Sequence, residues 1–413
     1  MTAEGAYDTE RLCNRNHNTR EGATKVSIAK SALKGVTYYD EKKASGGYTL
    51  FSTYNYDVWL IDMEGYIVNH WRMPYSPGSH QWLLPSGNLL HAGMLKSHDE
   101  MGLPVEMTAI GGVLVEVDWY SNLVWKAMAP YSNHDIRPMD NGHVMYHSYN
   151  PGGILPDDLA RKMTGGIPGS EFEGQVWGDM VHELDRDGKI VWEWKACEHL
   201  DPVLDRSCML ENRTLWPYIN SLWICRDGNV LMSLRAANEA IKVDYKTGEI
   251  IARYGKGKIF HQHDARELDN GNIMILDNGN HRPFYGPNYS RVVELDPDTD
   301  EIVWEYRADY PPDFYTPVCA GAERMPNGNT VICDSWTGRI FEVTYEGELV
   351  WEYISPFIGY QVGMTTTMMW RAHRYLSDFP GLQGKNTDPK RFPLENRLFG
   401  PDSFERDFVP SVF

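Results

Sequence analysis

The sequence VVELDPDTDEIVWEY, from Val292 to Tyr306, decides the fold. Two runs in which apolar and polar residues alternate, rich in Val, Ile and Trp, flank a short turn of Asp and Pro, which is the pattern of a β-hairpin. The copies of this pattern lie at Val58–Trp71, Val113–Ala127, Met180–Trp194, Ala240–Tyr254, Val292–Tyr306 and Ile340–Tyr353. They recur at intervals of roughly 47 to 67 residues, a spacing typical of β-propeller blades.

A second motif precedes most of these hairpins and supplies the inner half of each repeat. It consists of a polar pair, an apolar run and a tight turn that ends in Gly-Asn or Gly-His. Its copies lie at Ser79–Asn88, His134–His143, Asn220–Asn229, His263–Asn272 and Ala320–Asn329. The two motifs together predict an all-β chain, a six-bladed β-propeller of four-stranded antiparallel blades.

The first outer hairpin has no inner motif before it, so its inner strand must come from elsewhere in the chain. We expect residues 366–375 to supply it, so that the C-terminal region closes the ring. The predicted organisation is an N-terminal extension (1–44), the propeller (45–382) and a C-terminal tail that packs on the propeller (383–413). Long insertions at 94–110, 150–178 and 197–216 are expected to form a rim over one mouth of the axial channel.

The composition limits the classes of partner. The net charge of -18 and the lack of Lys/Arg runs argue against nucleic acid and against a membrane surface. The first residues show no apolar signal core, so we expect a cytoplasmic protein, or a periplasmic one whose signal has been removed. The six cysteines are expected to be free, apart from Cys197 and Cys208, which flank one loop and would pair under oxidising conditions. The oligomeric state, including a homo-oligomer, stays open.

Polar residues recur at one position of the inner motif, where a propeller strand faces its axis. The aligned positions are Ser79, His134, Asn220, His263 and Ala320. Ordinary core packing does not explain such a ring, although strand-end capping and water binding would. Residues two apart on a strand point to the same face, so His261 and His263 are expected to enter the channel together, with His147 as a third candidate.

The most specific motifs are HDARELDNGNIMILDNGNHR from His263, AGAERMPNGNTVICDS from Ala320 and WRAHRYLSDFPGL from Trp370. With them, residues 45–382 resemble the bacterial aryl-sulfate sulfotransferase family. The resemblance implies a six-bladed propeller that transfers a sulfuryl group between phenols through a sulfated histidine, with no cofactor required. It also implies that His263 and Arg282 bind the sulfate oxygens. A planar guanidinium group can donate two parallel hydrogen bonds to a tetrahedral anion of this kind.

Two positions depart from the family pattern. Tyr218 stands where the family has the histidine of His-x-Asn-Ser, and the blade-six inner motif has no histidine beside Ala320. The predicted catalytic residues are therefore His263, His261, Tyr218 and His373. The predicted substrate-binding residues are Arg282, His134, Asn220, His80, Arg371 and His147.

Three alternatives to simple sulfuryl transfer stay open. The same pocket suits a lyase, hydratase or hydrolase in which Tyr218 and a histidine act as acid and base and Arg282 holds an anion. Either reaction could use a transition metal, whose ligands would be His261, His263, His134 and His147. The third alternative is a propeller that acts as a non-catalytic interaction platform. The expected ligand in the enzymatic cases is a small aromatic or anionic molecule.

Overall fold

The alternating repeats form β-strands in the computed structural model, which describes residues 33–95, 111–283, 286–361 and 364–403. The strands are β1 (Gly35–Tyr39), β2 (Tyr48–Thr53), β3 (Asp57–Ile61), β4 (Ile67–Arg72), β5 (Pro77–Leu83), β6 (Leu89–Met94), β7 (Gly112–Val117), β8 (Leu123–Met128), β9 (Ser132–Pro138), β10 (Val144–Ser148), β11 (Trp177–Gly178), β12 (Met180–Leu184), β13 (Ile190–Lys195), β14 (Leu215–Trp216), β15 (Ile219–Ile224), β16 (Val230–Leu234), β17 (Glu239–Val243), β18 (Ile250–Tyr254), β19 (His263–Glu267), β20 (Ile273–Asp277), β21 (Arg291–Leu295), β22 (Ile302–Tyr306), β23 (Gly321–Arg324), β24 (Thr330–Asp334), β25 (Arg339–Val343), β26 (Leu349–Ile354), β27 (Gly359–Gln361), β28 (Met364–Thr366) and β29 (Met369–Tyr375).

Short helices lie in the connections. The α-helices are α1 (Asp157–Ala160), α2 (Ala196–His199) and α3 (Pro393–Phe399), and single 3-10 turns occur at Pro151–Gly153, Pro311–Asp313, Pro380–Leu382, Pro389–Arg391 and Pro401–Ser403. None of the described helices has the length and apolar character needed to cross a membrane.

The strands assemble into six antiparallel blades. From the inner to the outer edge these are blade 1 (β29-β2-β3-β4), blade 2 (β5-β6-β7-β8), blade 3 (β9-β10-β12-β13), blade 4 (β15-β16-β17-β18), blade 5 (β19-β20-β21-β22) and blade 6 (β23-β24-β25-β26-β1). The first strand of each blade contacts the first strands of both neighbouring blades, so these six strands surround the axis. The predicted six-bladed propeller is confirmed.

The C-terminal strand closes the ring. Strand β29 pairs antiparallel with β2, from Tyr48 opposite Tyr375 to Thr53 opposite Met369, and thereby completes blade 1. Closure by the C-terminal region is confirmed. Strand β1 adds a fifth strand to blade 6, where Gly35 lies opposite Ile354, although no sequence repeat predicted a strand in that region. The predicted extension as far as residue 32, residues 96–110 of the first insertion and residues 404–413 of the tail lie outside the described residues.

The hydrophobic core fills the spaces between neighbouring blades. Successive side chains of a strand point to opposite faces of its sheet, so each blade must be apolar on both sides. In blade 4, Leu231 packs against blade 5 whereas its neighbour Met232 packs against blade 3. One cluster of buried side chains occupies each interface between neighbouring blades, which explains why the strands have nearly continuous apolar runs.

Except in blade 4, whose fourth strand β18 contains no tryptophan, a tryptophan of the fourth strand joins each blade to the next. The indole nitrogen of Trp125 donates to the backbone oxygen of Arg186 at 2.8 Å, and that of Trp304 donates to Tyr345 at 2.7 Å. The same bond from Trp351 to the oxygen of Met63, at 2.8 Å, crosses from blade 6 to blade 1. The recurring Trp therefore links neighbouring blades through hydrogen bonds.

Two of the predicted insertions pack against each other beside blade 4. Strands β11 and β14 pair in parallel, with Trp177 opposite Leu215. These two side chains form a small cluster with Tyr149 and Tyr218. The insertions thus support the residues that begin the inner strand of blade 4.

Candidate functional site

A cavity of about 710 Å³ lies where the inner strands begin. Five blades contribute a residue from the first positions of the inner strand or from just before it. These are His134, Tyr218, His263, Cys319 and Trp370 of blades 3, 4, 5, 6 and 1. The remaining lining residues are Tyr54, Arg235, Val318, Trp336, Ile358, Thr365, Thr366, Thr367 and Met368. The cavity therefore combines aromatic and aliphatic walls with two imidazoles, two phenols and one guanidinium group.

The two ring nitrogens of His263 differ, because Nδ1 is fixed by a hydrogen bond to Asn278 and Nε2 is not. Its Nδ1 lies 2.7 Å from Oδ1 of Asn278. The amide nitrogen of Asn278 donates to the backbone oxygens of Thr316 (2.7 Å) and Cys319 (3.1 Å), which fixes the orientation of the amide. The oxygen of Asn278 must therefore accept a hydrogen bond from Nδ1–H of His263, so Nε2 of the neutral ring carries the lone pair. Burial, together with the charge of Arg235, lowers the pKa of His263 to about 3.

His134 stands beside His263, with ring centres 6.3 Å apart. Its Nδ1 contacts the side-chain oxygen of Asn133. Burial is the main cause that lowers the pKa of His134 well below its usual value, and the neighbouring His147 and His263 lower it further. Two uncharged imidazoles consequently share the polar side of the cavity.

Tyr218 and Arg235 form the wall of blade 4. The guanidinium carbon of Arg235 lies 4.7 Å from the centre of the Tyr218 ring, and Nη1 of Arg235 lies 3.1 Å from Oε2 of Glu211. Burial raises the pKa of Tyr218 to about 12, so its hydroxyl is a proton donor at neutral pH. Burial opposes the charge of Arg235, but Glu211 and the neighbouring Tyr218 and Tyr149 together outweigh burial, so the pKa of Arg235 is raised. The cavity thus keeps a permanent cation.

The blade-six wall contributes the thiol of Cys319. Cys319 is free, and burial raises its pKa to about 12. A protonated thiol is a poor nucleophile. Among the lining residues, the neutral imidazoles are therefore the stronger candidates for nucleophilic attack.

Residues 111–356, more than half of the chain, match a family model described as Arylsulfotransferase (ASST). The chain belongs to the arylsulfotransferase family. The matched range contains His134, Tyr218, Arg235, His263 and Cys319 of the cavity. Trp370 and the closing strand β29 lie beyond it. The predicted membership is confirmed, and membership of the arylsulfotransferase family implies a transferase.

Several solved structures resemble this arylsulfotransferase-family chain at low identity. A Bacteroides caccae protein of unknown function shares 14% identity over 79% of this chain and 98% of that chain, with a TM-score of 0.49. A streptogramin B lyase shares 13% identity over 83% and 93% of the two chains, with a TM-score of 0.43. Virginiamycin B lyase from Staphylococcus aureus shares 12% identity over 79% and 86%, with a TM-score of 0.40. No curated protein sequence matches the chain. At these identities and TM-scores, the similarities say nothing about the reaction of this chain.

The arylsulfotransferase-family chain also has a buried charged cluster on the axis, and four predicted residues belong to it or adjoin it rather than lining the cavity. Nη1 of Arg371 lies 3.0 Å from Oδ2 of Asp135, and Nε2 of His80 lies 3.1 Å from Oδ1 of the same Asp135. Nδ1 of His373 lies 2.6 Å from Oε1 of Glu323. The amide nitrogen of Asn220 donates to the oxygen of Gln262 at 2.7 Å. His80, Asn220, Arg371 and His373 do not line the cavity.

His373 was predicted as a catalytic residue, and its surroundings do not bring it to the cavity. Its ring packs 4.1 Å from Trp82, centre to centre, and the buried carboxylate of Glu323 holds its Nδ1. His147 was predicted to bind substrate, but its Nε2 is paired with Asp179 and its Nδ1 faces the backbone oxygen of Asn133 at 3.3 Å. His147 therefore supports the cavity wall from behind.

His261 does not accompany His263 into the cavity. Strand β19 begins at His263, and His261 has a left-handed backbone (φ 52°), so strand alternation does not apply to this pair. Its Nδ1 lies 3.2 Å from Oε1 of Glu211. The four residues predicted as metal ligands therefore do not share one site. His263 and His134 line the cavity, whereas His147 is paired with Asp179 and His261 lies beside Glu211.

Arg282 is also placed differently from the prediction. Its Nη2 lies 2.7 Å from Oδ2 of Asp277, and its guanidinium group stacks 4.1 Å from the ring centre of Tyr289. Gly279 adopts φ 79°, and this turn directs the following residues back toward strand β20. The described lining of the cavity contains Arg235 instead.

Arg235 and Asn278 were not among the predicted site residues, although the sequence contains a signal for them. Each directly follows the second strand of its blade, β16 for Arg235 and β20 for Asn278. Tyr149 and Ser335 occupy the same position after β10 and β24. An alignment on the ends of these second strands would have revealed a second ring of residues beside the first.

Proposed function

We propose that the protein transfers a sulfuryl group from an aryl sulfate to a phenol, with Nε2 of His263 as the nucleophile. One observation carries the proposal. His263 is neutral, its Nδ1–H is fixed on Asn278, and its ring lines a cavity with an adjacent guanidinium group. A nucleophilic imidazole requires this combination of an uncharged ring and a defined tautomer.

The walls of the cavity suit an aryl sulfate. Trp336 and Trp370 offer flat apolar surfaces for an aromatic ring, and Trp336 is 49% exposed. Arg235 supplies a positive charge for the sulfate oxygens, and the protonated hydroxyl of Tyr218 on the same wall supplies a further donor. Preorganised donors of this kind stabilise the charge that shifts onto the oxygens during transfer.

The reaction proceeds in two balanced steps. In the first, Nε2 of His263 bonds to sulfur and the bond between sulfur and the aryl oxygen breaks. The aryl oxygen takes the electron pair and accepts a proton from the Tyr218 hydroxyl. In the second, the acceptor phenol returns a proton to Tyr218, its oxygen bonds to sulfur, and the N–S electron pair returns to His263. Asn278 accepts the hydrogen bond from Nδ1–H throughout, which stabilises the positive ring of the sulfated intermediate.

The test is incubation with a chromogenic aryl sulfate, with and without a second phenol as acceptor. The proposal predicts release of the chromogenic phenol together with formation of the sulfated acceptor. The His263→Gln variant should lose both, whereas His70→Gln, which changes a histidine stacked on Trp59 away from the cavity, should retain both. Full transfer by the His263→Gln variant would refute the assignment of the nucleophile.

One observation favours a second reaction class. Tyr218 lines the cavity at the position where the family has a histidine, and a protonated phenol beside Arg235 suits an elimination or hydrolysis that needs an acid near an anion. Release of phenol without any sulfated acceptor would favour hydrolysis. A Tyr218→Phe variant with unchanged activity would exclude Tyr218 as the acid in either reaction.

A further inference from the structure

A second cluster of reactive side chains lies behind the Arg235 wall. Cys208, His261 and His281 each offer one ligand atom, and these three atoms lie within 4.8 Å of one another. The thiol of Cys208 and Nδ1 of His281 are 3.4 Å apart, and the two imidazole rings cross at 77° with centres 4.5 Å apart. The cluster joins the insertion that contains Cys208 to two turns of blade 5.

A fourth donor faces the same point. Oε1 of Glu211 lies 3.2 Å from Nδ1 of His261 and 4.0 Å from Nδ1 of His281. In a tetrahedral zinc site with bonds of about 2.0–2.3 Å, neighbouring ligand atoms are about 3.3–3.8 Å apart. The observed separations bracket these values, so small side-chain movements would close the site.

The buried histidine of the cluster supports a ligand role. His261 is fully buried, and neither of its ring nitrogens makes a hydrogen bond within the described part of the chain. A buried imidazole without a hydrogen bond is costly unless another partner satisfies it. His281 is about one-third exposed, which gives an ion a route from solvent.

We propose that Cys208, His261, His281 and Glu211 form a binding site for a divalent transition metal with the ligand preference of Zn²⁺. Thiolate, imidazole and carboxylate donors suit this ion, and four protein ligands are typical of a structural rather than a catalytic zinc site. The Cys208 proton is released to solvent when the metal binds. Because Oε2 of Glu211 also contacts Arg235, the ion would fix the cation of the cavity wall from behind.

The test uses metal alone and no aryl sulfate, so its outcome is independent of the proposed reaction. The metal-stripped protein is titrated with Co²⁺ and then with Zn²⁺. We expect a thiolate-to-cobalt charge-transfer band that saturates at one ion per chain and is displaced by Zn²⁺. Loss of an outer partner alone costs roughly 10- to 100-fold in metal affinity, so Cys208→Ser should lower Zn²⁺ affinity by at least about 100-fold.

Cys197→Ser is the matched control, because Cys197 is also a half-buried free thiol but lies on α2 outside the cluster. It should keep the band and the affinity. A His281→Ala variant, which alters a partly exposed side chain, should weaken binding as Cys208→Ser does. Absence of the charge-transfer band, its survival in Cys208→Ser, or a simple thiol–imidazole contact with no metal uptake would overturn the proposal.

Discussion

Replacing Asn278 by Ala tests how the tautomer of His263 is fixed. The substitution removes the 2.7 Å hydrogen bond from Nδ1 to Oδ1. This bond becomes charge-assisted as the ring turns positive during attack, and such bonds contribute about 1.5–3 kcal/mol. At about 1.4 kcal/mol for each tenfold change, the rate of sulfuryl transfer should fall roughly 10- to 150-fold.

The assay is a single-turnover measurement of phenol release from a chromogenic aryl sulfate, combined with urea unfolding to measure stability. Asn278 also supports the backbone oxygens of Thr316 and Cys319, so a loss of stability is expected as well. Ser290→Ala is the control, because the buried Ser290 hydroxyl contacts the Thr316 and Asn278 backbones without touching His263. It should lose stability but keep transfer within a few-fold. A folded Asn278→Ala variant that reacts at the wild-type rate would refute the tautomer argument.

Three further results are expected. Arg235→Met should raise KM for the aryl sulfate and lower kcat. Arg282→Met should leave KM unchanged, because Arg282 is paired with Asp277 outside the cavity. Equal effects of the two substitutions in steady-state kinetics would contradict this expectation. Burial lowers the pKa of His91 and of His182 from 6.5 to about 4 in the folded protein. As the pH falls, the unfolded chain therefore takes up protons on these two histidines at a higher pH than the folded protein does. The contribution of these histidines to the free energy of unfolding should therefore be fully present above pH 6.5 and should fall towards pH 4 by on the order of 3 kcal/mol per histidine. A denaturant midpoint that stays constant across that pH range would contradict this expectation. Deletion of residues 366–413 removes β29, so cooperative thermal unfolding should disappear, and a retained sharp transition would show that the ring does not need its closing strand.

The propeller could be predicted from the sequence because its repeat is local. Each hairpin carries its own alternation and turn, as in Val292–Tyr306, and six copies leave few other architectures. The donor strand β29 followed from a missing inner motif in blade 1. Strand β1 could not be predicted in this way, because it pairs with the outer edge of blade 6 without belonging to any repeat.

The candidate site was predictable only in part, because its residues come from two rings. His134 and His263 were found by aligning inner-strand starts, Tyr218 was found by comparison with the family motif, and all three line the cavity. Arg282 was carried over from the family, but its pairing with Asp277 depends on the turn at Gly279, which no strand pattern encodes. Side-chain partners of this kind are set by tertiary packing, so only the folded chain reveals them.

The most direct measurement is the identification of the sulfated residue. The protein is mixed with an aryl sulfate in the absence of acceptor, quenched without acid, digested and analysed by peptide mass spectrometry. We expect the mass of one SO3 group to appear on His263 and to disappear when a phenol is added before quenching. A stable modification on another residue, or phenol release without any sulfated histidine, would contradict it.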